Sequence, residues 1–370
     1  MIQAIIVDDE ELSLISLEKK LQAFPSIHIA KTYFNHECIL TDIQNEKIDV
    51  AFLDIEMAEL NGLNLAEKIL SIQPSIHIVF VTAHTEYAVQ AFEINSIDYL
   101  LKPVMTRRLE KTINRLIDKI QDVQSKAPST SPLQITCFTE LQVFHHDQPL
   151  HFKTAKVKEL FGLLVTHINT FINRDILIDK LWPEHDYKKS KVNLHTSLSH
   201  LRKMLDQLGY TNCITFSNQS YSFSIKPIYC DTLDFDQSFQ NLDILDVTNI
   251  QLAEKTIHLY TGSYMELNGY EWAYEKSQEY HKKVMSLLSR VIDYYKNIDD
   301  NKTLYYLQFQ RKLDPYLDES IKHSMQLLIQ QGRRYEAIKM YQEYKDLLLN
   351  DLGIEPEETV THIFKSLVTT

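Results

Sequence analysis

The chain has 370 residues, 44% hydrophobic and 24% charged, with 50 acidic and 38 basic side chains giving a net charge of −12. That composition is ordinary for a globular protein of two or three domains, and no run reaches the roughly 18 apolar residues of a membrane helix. Four scattered cysteines without a CxxC pair argue against a disulfide framework or a zinc site, and the seven glycines form neither GxxxxGK[ST] nor GxGxxG, which argues against a nucleotide-cradling loop.

HExxH and GxSxG are missing too, so the enzyme options shrink to what clustered carboxylates can do. The first residues run straight into an apolar strand with no signal-peptide pattern, and a cytoplasmic location is expected. Charge is uneven: residues 1–126 carry −7, residues 133–229 carry +3 with seven of the fifteen histidines, and residues 230–370 carry −8. A polyanionic partner is therefore expected to meet the middle of the chain.

In chain order, apolar runs at 4–7, 48–53, 76–81 and 97–101 read as buried strands. They alternate with helical patterns at 12–24, 39–46, 63–70, 86–93 and 106–120, as βαβ units around a parallel sheet do. The strands end in Asp8 and Asp9, in Asp54, in Thr82, and in Lys102-Pro103. An open α/β sheet carries its chemistry outside the carboxyl ends of its strands. One rim thus receives carboxylates, a hydroxyl and an ammonium, the equipment for moving a phosphoryl group onto an aspartate. Asp54 is the expected nucleophile. Asp8 and Asp9 supply the oxygen ligands that suit Mg²⁺.

Val7-Asp8-Asp9-Glu10, Leu53-Asp54-Ile55-Glu56-Met57, Asn61-Gly62-Leu63, Val81-Thr82-Ala83 and Asp98-Tyr99-Leu100-Leu101-Lys102-Pro103 resemble the receiver domain of two-component response regulators. The resemblance implies phosphorylation of Asp54 by a sensor histidine kinase. It implies Mg²⁺ held by Asp8, Asp9, Asp54 and the backbone carbonyl of Glu56. Thr82 and Lys102 would contact the phosphoryl group, Tyr99 would be the switch aromatic, and a cis Lys102-Pro103 bond would aim the lysine. His84 falls where the family tunes acyl-phosphate hydrolysis. Ala58 replaces the family's usual proline. A dedicated enzyme is not expected, and a phosphatase of the DxDx[TV] kind is disfavoured because Glu56 stands at +2 from Asp54.

Residues 123–132, polar and Pro-containing, read as a linker between domains at 1–122 and 133–229, with a third at 230–370. After short alternating runs at 133–152, helical periodicity occupies 155–167, 174–182 and 190–208. In the last of these, Leu194, Leu198, Leu201 and Leu205 fall on one face. Lys191, Ser197, Ser199, His200, Arg202 and Lys203 populate the remainder, and runs at 213–216 and 221–225 form a hairpin signal. The segment resembles an OmpR-like winged helix-turn-helix domain, and 193–205 resembles the recognition helix of SARP-type activators. That implies double-stranded DNA as a partner, with those six residues as contacts and Arg202 or His200 as base readers. The hairpin lacks the family's usual glycine and arginine.

From 252 onward the pattern is helical, interrupted near Gly262, Gly269, 297–301, Pro315 and Gly332. The pieces 303–313 and 336–347 repeat at the spacing of tetratricopeptide-like units. Leu259-Tyr260-Thr261-Gly262, Glu271-Trp272-Ala273, Leu313-Asp314-Pro315 and Asp351-Leu352-Gly353-Ile354-Glu355-Pro356 resemble the bacterial transcriptional activation domain of SARP-type regulators. The expected fold is multidomain: an α/β doubly wound receiver, a winged helix-turn-helix and an all-α tetratricopeptide-like array. The expected protein is a phosphorylation-controlled transcription regulator. Its implied partners are the kinase, DNA, RNA polymerase and a second copy of the chain on phosphorylation, with no membrane. The rival reading is a phospho-dependent scaffold that acts through the C-terminal array.

Overall fold

A computed structural model describes residues 1–370 apart from 36–37, 58–60, 74, 89–90, 92–93, 95, 126–131 and 369–370. Ala58, half of the expected 86–93 helix and most of the 123–132 linker therefore lie outside the described residues. By contact the chain divides into two units: residues 1–133 with 145–228, and residues 134–144 with 229–370.

The first unit opens with β1 (Ile2–Val7), α1 (Glu11–Leu21), β2 (Ile27–Tyr33), α2 (Ile39–Asn45), β3 (Val50–Leu53), α3 (Gly62–Ile72), β4 (His77–Thr82), β5 (Asp98–Leu101) and α4 (Thr106–Ser125). The sheet order is β2-β1-β3-β4-β5, with every described pairing parallel. Side chains alternate across it, as the period of two requires. Ile6, Phe52, Val79, Val81 and Leu100 pack with Leu14, Leu17 and Leu21 of α1 and Leu109, Ile113 and Leu116 of α4. Ile5, Ala51, Leu53, Ile78 and Phe80 are buried as well, outside that cluster. Both faces being covered explains why these strands read as continuous apolar runs. The α4 helix runs to Ser125, past the expected end at 120, so the start of the expected linker is helical.

The same unit continues through the two-residue β8 (Gln148–Pro149), α5 (Ala155–Thr166), β9 (Phe171–Asn173), α6 (Arg174–Leu181), α7 (Tyr187–Gln207), β10 (Ile214–Ser217) and β11 (Ser220–Phe223). Strands β10, β11 and β9 form a three-stranded antiparallel sheet. The expected start of α7 at 190 is three residues late. The Asp186 side chain accepts from the amides of Lys188 and Lys189 and so caps the helix earlier. The hairpin turn sets Asn218 and Gln219 at φ of 48° and 58°. Two positive φ angles match the strand twist of a two-residue loop, so the turn forms without glycine.

The second unit begins with residues 134–144, which hold all but the outer ends of β6 (Leu133–Thr136) and β7 (Gln142–His145), antiparallel with Ile135 opposite Val143. These strands were expected to open the middle domain. Residues 134–144 instead pack with the C-terminal helices, because the Cys137 and Phe138 amides donate to the Asp231 carboxylate at 2.8 and 2.9 Å. The Phe138 ring meets Phe235, Tyr260 and Tyr280 edge-on, with centroids 5.0–5.7 Å apart. Such pairs add about 0.5–1.5 kcal/mol each beyond burial.

After β12 (Ile228–Cys230) come α8 (Asp231–Phe239), α9 (Ile250–Leu259), α10 (Tyr274–Tyr295), α11 (Asp300–Leu313), α12 (Asp318–Gln330), α13 (Arg334–Leu352) and α14 (Glu358–Val368). The breaks expected near Gly262, Gly269, 297–301, Pro315 and Gly332 fall between these helices, and one more, at Gly353, was not expected. Gly353 ends α13 at φ 68°, a left-handed cap that glycine adopts without a Cβ penalty. The last helices share a core of Ile321, Met325, Leu328, Tyr341, Tyr344, Leu348 and Val360.

Candidate functional site

The register Val7–Leu53–Phe80 and the pairing of Thr82 with Leu101 bring the four strand ends level. Asp54 follows β3 and its amide continues the ladder to the Val7 carbonyl at 2.9 Å. Its carboxylate is buried, accepting from its neighbour's amide, Ile55 N, at 2.6 Å and from Lys102 Nζ at 2.6 Å. Lys102 Nζ also lies 2.7 Å from Asp8 Oδ2, so one ammonium bridges two carboxylates. Asp8, Asp9 and Asp54 each offer an oxygen within 4.8 Å of the others. Asp8 and Asp54 are buried and Asp9 is exposed.

Burial pushes the Asp8 carboxyl above its usual range, against the opposing pull of Lys102. Burial draws the Lys102 ammonium down, and its bonds to Asp54 and Asp8 more than offset this, leaving it raised. Three close carboxylates and one ammonium leave an acidic excess of hard oxygen donors. That donor set fits Mg²⁺, which takes one or two carboxylates and keeps several waters.

Lys102 is set at the rim by its amide, which bonds to the Thr82 carbonyl at 2.8 Å; the Lys102-Pro103 bond is cis, as the resemblance implied. Thr82 is fully buried at the end of β4, with its Oγ1 accepting from the His84 amide at 3.4 Å. The Tyr99 hydroxyl donates to the His84 carbonyl, and burial pushes that phenol up to about 12. Gly62 sits under Asp54: a Cβ there would stand 1.8 Å from the Asp54 carbonyl oxygen. No side chain fits, so the loop after the phosphoacceptor candidate closes only on glycine.

Sequence reasoning used Glu56 for its carbonyl alone. Its side chain builds a second cluster at the rim: His84 Nε2 lies 2.8 Å from Glu56 Oε2, Tyr87 OH donates to Glu56 Oε1 at 2.9 Å, and Glu86 approaches His84 Nδ1 at 3.3 Å. Asp98 was also missed as a charge centre. It is buried on β5 and paired with Arg108, Arg115 and the Thr112 hydroxyl of α4. An acidic residue in a strand followed by basic residues at helical spacing was the available signal.

On α7, Leu194, Leu198, Leu201 and Leu205 are all buried, as the periodicity required. Ser199 and Lys203 are exposed. His200 is half-buried and accepts from Lys153 Nζ at 2.8 Å. Lys191 is half-buried, its charge acting on Asp175. Two of the six expected contacts turn inward. Ser197 is buried, and Arg202 extends toward β10, where Nη2 lies 3.4 Å from the Ile214 carbonyl and Nε is buried without a partner. Burial pulls that guanidinium below its ordinary value. The expectation that Arg202 reads base edges is not met by this placement: its guanidinium turns to the Ile214 carbonyl of β10.

The family model described as response regulator receiver domain matches residues 4–114, and that of the bacterial transcriptional activator domain matches residues 247–367. An uncharacterized response regulatory protein of Vibrio cholerae is 31% identical over 208 residues, covering 55% of this chain and 78% of the relative. The chain therefore belongs to the response regulatory proteins, and it joins a receiver to a SARP-type activator domain. An uncharacterized response regulatory protein of Yersinia pestis is 45% identical over 116 residues, and the transcriptional regulatory protein BtsR of Salmonella typhi is 41% identical over 116. Each match covers 31% of this chain and 48% of the relative, so the chain spans about half the length of those two. In fold, the chain is similar to a solved structure of Mycobacterium tuberculosis EmbR in complex with a low-affinity phosphopeptide, at 18% identity and a TM-score of 0.51 over 65% of each chain. Among the described residues no helix is long and apolar enough to cross a membrane.

Proposed function

We propose that Asp54 accepts a phosphoryl group from a sensor histidine kinase and that this controls binding of α7 to double-stranded DNA. The observation that carries the reading is the Lys102 ammonium held 2.6 Å from Asp54 and 2.7 Å from Asp8. A nucleophilic carboxylate needs such a cation beside it to receive a dianionic group. An Asp54 oxygen attacks phosphorus while the bond to the donor breaks, and the donor leaves with its electron pair. Lys102 then exchanges its carboxylate contact for a phosphoryl oxygen, and the Thr82 hydroxyl donates to another. Asp8, Asp9, Asp54 and the Glu56 carbonyl would hold Mg²⁺, which when bound would neutralise charge on the phosphoryl oxygens. Tyr99, anchored on the His84 carbonyl, is tied to the same loop as Thr82 and is the candidate reporter of that change. Intact-mass measurement with a small phosphodonor and Mg²⁺ tests the reading: one phosphoryl adduct is expected, and none without the metal.

On this reading α7 is the recognition helix of a winged helix, with Ser199, Lys203, His200 and Lys191 as contacts, and a paired receiver brings a second helix to the DNA. With a net +3 in residues 133–229, few phosphate contacts form per chain, so pairing is what gives useful occupancy. RNA polymerase and the cytoplasm belong to the same proposal. A second reading, a phospho-dependent scaffold with weak DNA contact, draws support from the inward Arg202 and the buried Ser197. A salt-dependent shift of labelled genomic fragments favours DNA binding, and its absence from folded, phosphorylated protein favours the scaffold.

A further inference from the structure

The second unit holds a chemical cluster that neither the receiver nor α7 uses. Cys137 follows β6, Cys230 closes β12, and these strands are neighbours in the sheet. Both cysteines are buried, and their sulfurs lie within 4.8 Å of each other and of an Asp231 oxygen. The whole of residues 138–229 separates them in the chain, which is why their spacing gave no sign of a pair.

We propose that Cys137 and Cys230 are a covalent modification site, closing to a reversible intramolecular disulfide when a hydroperoxide reaches them. Two observations carry this beyond proximity. First, the sulfurs are chemically unequal. Cys230 is the N-cap of α8, with the Thr232 hydroxyl 3.2 Å from its sulfur. A helix N-terminus favours a thiolate. The hydrogen bond from Cys137 lowers the Cys230 thiol below its ordinary value, burial opposes this, and the Asp231 charge opposes it too. The same bond holds the Cys137 thiol well above its usual value. The helix N-terminus makes Cys230 the nucleophile, and Cys137, just past β6, the resolving partner.

Second, a metal is the poorer occupant. The Asp231 carboxylate already accepts from the amides of Cys137, Phe138 and Thr232 at 2.7–2.9 Å. Only two sulfurs remain, against the four ligands of a structural zinc site. Both cysteines are buried, Cys137 at 0% and Cys230 at 2% exposure, so a small oxidant reaches them through a local opening beside Cys230, whose neighbour Tyr229 is 61% exposed.

The chemistry balances with hydrogen peroxide. The Cys230 thiolate attacks one peroxide oxygen, the O–O bond breaks, and the other oxygen leaves as hydroxide and takes up a proton to become water. The Cys137 sulfur then attacks the sulfenic sulfur: the S–S bond forms, the S–O bond breaks, and the departing hydroxyl takes the Cys137 thiol proton and leaves as a second water. Two thiols are oxidised and one peroxide is reduced.

The test uses the full chain, reduced and then treated with hydrogen peroxide. Mass mapping without reductant should give a Cys137–Cys230 linked peptide that dithiothreitol releases, also in a Cys38→Ser, Cys213→Ser background. Cys137→Ser should leave Cys230 as a sulfenic acid that dimedone captures. Oxidation should raise the unfolding midpoint of the C-terminal helices, since a cross-link closing a long loop restricts the unfolded chain. The proposal is overturned if peroxide oxidises exposed Cys38 while the linked peptide never forms. It is equally overturned if the purified chain binds one Zn²⁺ that Cys230→Ser abolishes.

Discussion

The rim of the parallel sheet and the outer face of α7 were both read from side-chain pattern, and they met different fates. At the rim, Asp8, Asp9, Asp54 and Lys102 come together, and Thr82 ends the neighbouring strand beside Leu101. On α7, the buried leucine face is as expected while Ser197 and Arg202 are not outward. Strand ends leave little choice: register fixes the backbone, and with it the place of the residue that follows the strand. A helix fixes only where Cβ points, and a long side chain can cover apolar surface on the way to a carbonyl. Arg202 takes that route.

The sharpest way to break the contrast is at Asp54. Asp54→Ala should remove the phosphoryl adduct altogether in intact-mass measurement, and an unchanged adduct would sink the rim assignment. Lys102→Ala should slow phosphorylation by a phosphodonor by about 10²–10³-fold, the scale for one lost donor at a developing charge; an unaltered rate would mean that the bridge is only structural.

Smaller effects probe the helix. Leu198→Ala should cost about 2–5 kcal/mol of stability, read by thermal or denaturant unfolding, because its side chain is fully buried. Lys203→Ala should lower the salt slope of DNA binding by about one with little change in base preference. Arg202→Met should leave that preference untouched. A relaxed preference at one base position would show that Arg202 swings out on binding.

Acid offers a test at one receiver residue. His77, at the start of β4, is pushed down from 6.5 to about 4 by burial, with Lys119 adding to the effect. The unfolded chain takes up that proton near 6.5 and the folded one does not, so stability is lost as pH falls from about 6.5 toward 4. The receiver's thermal midpoint should fall over that window, and His77→Gln should flatten the fall.

Much of the receiver was legible because its signals are local: four apolar runs, each ended by a reactive group, and a glycine where the loop meets Asp54. What escaped depends on distant partners. The start of α7 hung on one cap, Asp186, four residues before the expected first residue. The Glu56–His84–Tyr87 cluster links two loops, and neither names the other in sequence. The placement of residues 134–144 depended on Asp231 and on an aromatic socket more than ninety residues away. Periodicity identifies an element's buried face and is silent on what buries it.

That last placement affects how the molecule can be made and cut. The C-terminal unit is discontinuous in the chain: its strands at 134–144 leave the ribosome long before the helices they brace. They must wait, unpaired with their final partners, until Asp231 and the rings of Phe235, Tyr260 and Tyr280 have been synthesised. A fragment begun at residue 230 would lose the Phe138 ring from its socket and the Cys137 and Phe138 amides from the Asp231 carboxylate. An independently folding activator fragment therefore has to carry residues 134–144 as a separate strand, or have them spliced ahead of Tyr229.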